Sequence, residues 1–327
     1  MKRRALITGI TGQDGSYCAE LLLSKDYEVY GLVRRSSTDN LTRIRHLVEA
    51  NAVKVIHGDL TDGPSVEKAI ISSHPQEVYN YCAQSFVSAS FITPLHTTDV
   101  TGLGALRLFE AVRLMTSASE AVRIYQASSS EMFGDQPSPQ SETTPFHPRS
   151  PYGCAKAFAH YCAQVYRHAY GMFISCGIGF NHESERRGEE FVTRKITKAV
   201  AAIKAGQQDQ LRLGRLDARR DWSHAEDIVE AAWLMMQHDH PDDYVLASGV
   251  SHTVKEFAQA AFEEAGLDIR KYLIEDPLLY RPLDVTDLCG DATKARTELG
   301  WTPKVDFRTL VQRMVEADCE ASLARNG

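Results

Sequence analysis

The segment PYGCAK sets Tyr152 and Lys156 four residues apart, which places both side chains on one face of a helix. A free phenol ionises near ~10 and is a poor base at neutral pH, but a neighbouring ammonium favours the phenolate. A downward shift of about three pKa units corresponds to roughly 4 kcal/mol. Tyr152 is therefore expected to have a lowered pKa and to take a proton from an alcohol while hydride leaves the carbinol carbon. Tyrosine and lysine share helix faces routinely, so the setting matters. The pair follows QASSSEMFG, where Ser129 and Glu131 stand at i and i+2 beyond an apolar run. On a strand these two point the same way, so Ser129 can bond the hydroxyl that Tyr152 deprotonates. Alcohol oxidation needs only the serine, tyrosine and lysine. Glu131 adds a carboxylate able to remove a proton from a carbon next to the newly formed ketone.

These four groups need a strand edge and a helix to hold them, and the hydride needs an acceptor. LITGITGQD, at the start of the chain, is a short apolar run ending in Gly9, Gly12 and Gly15. The spacing GxxGxxG differs by one residue from the dinucleotide fingerprint GxGxxG. Glycines there let the backbone turn tightly, approach a pyrophosphate and bring the next helix against the strand. The order that follows, with SYCAELLLSKDYEV as a helix and YGLV as a second strand, suits a nicotinamide dinucleotide. After that second strand an NAD-binding protein carries an acid for the ribose 2′-hydroxyl; here Arg34 and Arg35 stand instead. Arg35, followed by the hydroxyls of Ser36 and Ser37, argues for the 2′-phosphate of NADP.

Strand candidates recur at ALITG, EVYGLV, VKVIHGD, EVYNYCA, RIYQASS and FISCGIGF, separated by helical stretches such as 65–73, 102–115 and 150–170. This alternation predicts an α/β fold with a doubly wound parallel (Rossmann) sheet and a smaller substrate-binding domain. Residues 1–180 are read as the dinucleotide domain, with 222–249 returning to it, and 181–221 and 250–327 as the substrate domain. Within 181–220, ten Lys or Arg stand against six Asp or Glu, in a chain whose net charge is −7. Arg186, Arg187, Arg194, Lys195, Arg219 and Arg220 suit a second phosphate-bearing ligand as well as a solvated helical face.

The overall negative charge argues against a general nucleic-acid binder. Seven scattered cysteines without a CxxC pair read as reduced thiols, so no metal is expected. No apolar run reaches the roughly eighteen residues of a membrane span, and MKRRALITG enters a strand directly, so a soluble cytoplasmic protein is expected.

The blocks ALITGITGQDGSY, VRRSS, QASSSEMFG, TPFHPRSPYGCAK, FNHES, FVTRKITKAV, DARRDW and YRPLDV together resemble the GDP-mannose 4,6-dehydratase family of extended short-chain dehydrogenases/reductases. The resemblance runs from about Arg4 to Asp318. It implies NADP retained through each turnover, and conversion of GDP-mannose to GDP-4-keto-6-deoxymannose by C4 oxidation, loss of water across C5 and C6, and hydride return to C6. Ser129, Glu131, Tyr152 and Lys156 would be catalytic. The implied cofactor contacts are Gly9, Ile10, Thr11, Gly12, Gln13 and Asp14 in the turn, then Arg35, Asp59 and Leu60. They continue with Tyr81, Cys82, Ala83, Gln84 and Ser85, and with His96, Lys156, His182 and Arg187. The implied substrate contacts are Ser85, Asn181, Lys195, Arg220, Arg281 and Asp284. The family also implies a homotetramer or homodimer. Gly179, Ser223, Ile228, Asp284 and Thr286 depart from the family pattern. Another GDP-sugar dehydratase, a reductase or an epimerase on the same scaffold is the alternative. A reductase would not need Glu131, an epimerase would want a second acid or base, and a non-catalytic NADP sensor would lose Tyr152 or Lys156.

Overall fold

The computed structural model describes residues 2–115, 121–280, 283 and 285–324. Each of the six apolar runs is a strand: β1 (Arg4–Thr8), β2 (Glu28–Val33), β3 (Val53–His57), β4 (Glu77–Asn80), β5 (Arg123–Ser129) and β6 (Phe173–Gly179). With Asp243–Leu246, a strand the sequence pattern did not single out, they form a seven-stranded sheet. Its order is Asp243–Leu246, β6, β5, β4, β1, β2, β3, and every pairing is parallel. The order reverses between β1 and β4, and a doubly wound sheet opens a ligand crevice at such a point, beyond the strands' carboxyl ends.

Both faces of the sheet are covered, which is why the strands read as nearly continuous apolar runs. Period-two alternation still sorts the faces. Ala5 and Ile7 pack with Tyr17, Cys18 and Leu22 of the helix Gln13–Ser24 and with the helix Ala225–Gln237. Leu6, between them, packs on the other side with the helices Gly63–Ser73, Gly104–Met115 and Pro151–Tyr170. Across the switch point the buried side chains are bonded: Thr8 donates to Asn80, and Asn80 donates to Gln126.

A separate apolar cluster joins the helices Val192–Lys204, Val254–Glu264 and Phe307–Ala324. Trp222 and Phe257 meet edge to face there at 5.2 Å. Removing such a ring by Phe257→Ala would cost ~3–5 kcal/mol. The short strands Asn181–Glu183, Arg219–His224, Ser251–Thr253 and Asp287–Leu288 form a small sheet beside this cluster. Among the described residues no helix is long and apolar enough to cross a membrane.

Candidate active site

The apolar strand β1 breaks where Gly9 adopts φ +69°, a left-handed conformation that costs glycine least, and Gly12 N–H donates to Gly9 O at 2.9 Å. A side chain at Gly15 would bring its Cβ to 2.3 Å from Gly9 O, so only glycine lets the following helix start against the turn. That helix, Gln13–Ser24, has no side-chain cap at its N-terminus. Its first N–H groups and the positive end of its dipole form a cradle for an anion, and a dinucleotide pyrophosphate fits it. Thr11, Gly12, Gln13 and Asp14 line the adjoining cleft, whose volume is about 830 Å³; Ile10 does not, being fully buried with its side chain packed beneath Gly31 of β2.

The opposite wall follows β4. Tyr81, Cys82, Ala83, Gln84 and Ser85 all line the cleft. Gln84 is held through its N–H to Thr101 Oγ1 at 3.1 Å and accepts from Thr97 Oγ1 at 3.3 Å. Thr101 lies in a π-helical turn, Asp99–Leu103, so the helix read over 102–115 begins in regular form only at Gly104. Asp59, Leu60 and His96 also face the cleft. Both arginines after β2 are exposed; Arg34 lines the cleft and Arg35, next in the chain, does not. Arg43 takes a place that the sequence reading missed. It donates to Thr11 O at 3.2 Å and to Arg186 O at 2.8 Å, and burial together with Arg194, Arg186 and Arg187 pushes its guanidinium pKa down. Its position in the arginine-rich stretch RRSSTDNLTR was the available signal.

Ser129, Glu131, Tyr152 and Lys156 come together at the carboxyl end of β5. Ser150 caps the helix Pro151–Tyr170, its hydroxyl accepting from Gly153 N at 3.0 Å, with Pro151 as first residue and Gly171 closing the end at φ +65°. Tyr152 and Lys156 thus occupy its first two turns. A Cβ on Gly153 would lie 2.6 Å from Glu131 O, so the glycine of PYGCAK lets the helix press onto the Glu131 backbone. Ser129, Glu131, Tyr152 and Lys156 all line the cleft. The Ser129 hydroxyl accepts from Glu131 N at 3.3 Å and draws the Tyr152 phenol pKa down, but burial outweighs it and the Glu131 and Asp14 carboxylates add to burial. The net result is a Tyr152 pKa pushed up to about 12, opposite to the sequence-based expectation. The cause is burial, and the Lys156 ammonium is not placed to offset it. Lys156 Nζ lies 5.8 Å from the Tyr152 ring centre and donates to Ala127 O at 2.7 Å, while burial lowers its own pKa to about 8.

Past β6 the chain returns to the cleft with Asn181 and His182. His182 Nε2 is 3.0 Å from Asp14 Oδ2 and Nδ1 is 2.7 Å from Phe180 O, so both ring nitrogens face acceptors and the imidazolium suits the site. Burial would raise the Asp14 pKa, but His182 and Gln13 hold it at about 2. The His182 pKa is raised, because Asp14 outweighs burial. Arg187 lines the cleft 3.1 Å from Glu183 and stacks 3.6 Å over Phe191. The helix Val192–Lys204 begins without a side-chain cap, and Lys195 in its first turn lines the cleft beside Arg220. Arg215, missed by the sequence reading although within its basic stretch, lines the same end. Lys195, Arg215 and Arg220 thus give the cleft a second set of cations suited to phosphate, on elements other than the Gly9 turn. Gly179 lies on the wall, and a Cβ there would only touch the His182 ring at 3.4 Å, so this departure widens the cleft instead of easing a packing clash. Arg281 and Asp284 lie outside the described residues.

Residues 6–314 match the model of the family described as GDP-mannose 4,6 dehydratase. The chain is 53% identical over 326 residues to GDP-mannose 4,6 dehydratase 2 of Arabidopsis thaliana, covering 98% of this chain and 87% of that protein. It is 49% identical over 341 residues to GDP-mannose 4,6 dehydratase of Homo sapiens, covering 97% and 91%. Among solved structures it is similar to UDP-glucose 4-epimerase of Thermus thermophilus in complex with NAD, with TM-score 0.85, 26% identity and coverage of 96% and 98%.

Proposed function

The chain belongs to the GDP-mannose 4,6-dehydratase family, and we propose that it converts GDP-mannose to GDP-4-keto-6-deoxymannose with NADP as its retained cofactor. The observation that carries this reading is Glu131 in the same cleft as Ser129, Tyr152 and Lys156. Oxidation alone would leave that carboxylate without work.

A nicotinamide bound there would supply the acceptor for the C4 hydride and the donor for C6. Ser129 holds the C4 hydroxyl and Tyr152 takes its proton. The Ser129 hydroxyl and the Arg187 guanidinium favour the phenolate that results. A pKa lowered to about 8 suits Lys156 to passing a proton onward near neutral pH. The C4 ketone acidifies C5. Glu131 removes the C5 proton and passes it to the departing C6 hydroxyl, which leaves as water; with hydride returned to C6, a proton goes back to C5 and balances the one Tyr152 took from the C4 hydroxyl, so the net change is the loss of one water.

The Gly9–Gly15 cradle would take the pyrophosphate of the cofactor, with Asp14 tied to His182 and with Thr11, Asp59, Leu60 and the Tyr81–Ser85 wall around the rest. Arg34 and Arg43 on the cleft support NADP over NAD, with Arg35 beside them as an outer charge. Lys195, Arg220 and the uncapped helix start at Val192 would take the diphosphate of GDP-mannose, with Asn181 nearby. Separate apolar cores support a division near residue 180, but the limits are not clean: Ala292, Ala295 and Trp301, read from sequence as part of the substrate domain, pack in the core of the seven-stranded sheet, and Trp222 packs in the other core. A homotetramer or homodimer is supported by exposed Phe158, Tyr161 and Val165 along one helix.

Incubating the purified protein with GDP-mannose and NADP should yield a nucleotide sugar lighter by one water. A product of unchanged mass would indicate an epimerase, and unaltered substrate would remove the reading.

A further inference from the structure

The helix that carries Tyr152 and Lys156 continues the same four-residue spacing through His160 and Gln164. Each rung is tied to the sheet. Lys156 Nζ donates to Ala127 O at 2.7 Å, His160 Nδ1 lies 2.8 Å from Ser128 Oγ, and the Tyr152 phenol feels the Ser129 hydroxyl. Three consecutive residues of β5 therefore bear on three rungs of one helix face. Gln164 anchors the far end by donating to Asp243 Oδ2 at 2.7 Å. Arg167 fixes the same carboxylate at 2.6 Å, and His160 Nε2 stands 3.4 Å from it.

His160 is 1% exposed. A helix packed on a sheet interior is stabilised by apolar side chains, and a buried imidazole costs free energy unless its nitrogens are bonded. Here both are engaged. Cys176 also faces His160 and Asp243, and the three could converge on a metal ion. The Arg167 guanidinium already supplies the positive charge that Asp243 requires, so the group is complete without a cation.

Resting on the reaction proposed above, we infer that His160 is a positioning residue. Through Ser128 it sets the height of the Pro151–Tyr170 helix on β5, and so the place of the Lys156 ammonium beside Tyr152. His160 does not touch the substrate; it acts through Ser128 and the helix. The charged and titratable groups facing it are Asp243, Arg167 and Cys176, while those around Tyr152 are Lys156, Glu131, Arg187 and Asp14.

The test compares His160→Phe, His160→Asn and Ser128→Ala with wild-type holoenzyme on GDP-mannose. His160→Phe keeps a ring beside Phe146, whose ring centre lies 5.0 Å from that of His160 in an edge-to-face pair, but loses both bonds. We expect kcat to fall about 20-fold with KM and NADP affinity within about twofold, and the acid-side limb of the kcat profile to move up by about one pH unit. His160→Asn restores a hydrogen-bonding atom near the place of Nδ1 and should recover kcat to within about threefold of wild type. Ser128→Ala removes the other partner with little loss of packing and should repeat the His160→Phe result; it carries the test if His160→Phe does not fold. A lower melting temperature with unchanged kcat and pH profile would overturn the inference. So would a joint loss of kcat and binding that His160→Asn does not rescue. Wild-type protein inert toward GDP-mannose would instead undo the reaction itself.

Discussion

Between Gly9 and Gly15 the cleft wall is backbone: amide groups at an uncapped helix start, brought close because a Cβ at Gly15 would strike Gly9 O at 2.3 Å. Along the seam between β5 and the Pro151–Tyr170 helix it is side chain: Ser129, Tyr152 and Lys156, with His160 behind them. The first region has little to titrate beyond the Asp14–His182 pair, and its fit depends on the absence of side chains. The second is a buried polar network in which burial favours the neutral form of each group, pushing Tyr152 up to about 12 and Lys156 down to about 8. A region that only binds can be held by shape, while one that moves protons must keep charges in a dry place at a cost in stability.

The largest expected effect falls on the seam. Glu131→Gln should retain GDP-mannose and NADP binding yet lower kcat about 10³-fold, near 4 kcal/mol, because the amide cannot accept the C5 proton. Binding titrations beside turnover by mass spectrometry check it, and full turnover would take Glu131 out of the mechanism.

Gly15→Val tests the backbone side. It should weaken NADP about 100-fold, near 2.7 kcal/mol, by displacing the turn from the helix. An unchanged dissociation constant would mean that the turn adapts and that the contrast between the two regions fails.

Lys156→Met sharpens the comparison through stability in the absence of cofactor. Lys156 titrates near 8 folded, below its usual 10.5, so from one value to the other the unfolded chain holds more protons and stability rises with pH. Below pH 8 the burial of the ammonium is fully felt, and the neutral variant should be more stable there by about 2 kcal/mol, an advantage shrinking toward pH 10.5 while activity is lost. Denaturant melts at pH 7 and pH 10 measure it; equal shifts at both would exclude the buried charge as the cause.

The smallest effect concerns the 2′-phosphate. Arg34→Ala should weaken NADP by about 1.5 kcal/mol more than NAD, and Arg35→Ala by less, since Arg35 does not line the cleft. Titrations of both cofactors decide it, and a larger selective loss from Arg35→Ala would make Arg35, as the sequence suggests, the residue that reads the 2′-phosphate.

Much of this architecture is visible in local pattern. Glycine spacing, the Tyr152–Lys156 interval and the six apolar runs each depend on neighbours within a few residues, where the chain's own geometry decides the outcome. The strand Asp243–Leu246 escaped because its four residues, DYVL, lie in no longer periodic run and gain their place only by pairing with β6. Arg43 escaped for a similar reason: its side chain reaches Thr11 and Arg186, and nothing near residue 43 announces either partner.

Residue types and intervals were thus enough to establish which chemistry is possible, because a tyrosine and a lysine one helical turn apart share a face in any helix. The state of those groups was decided by tertiary packing. The Tyr152 pKa depends on the desolvation that the whole cleft imposes and on the carboxylates of Glu131 and Asp14, and Lys156 gives its hydrogen bond to Ala127 of another element. Desolvation and charge act through space, so they follow distances that only the folded chain sets.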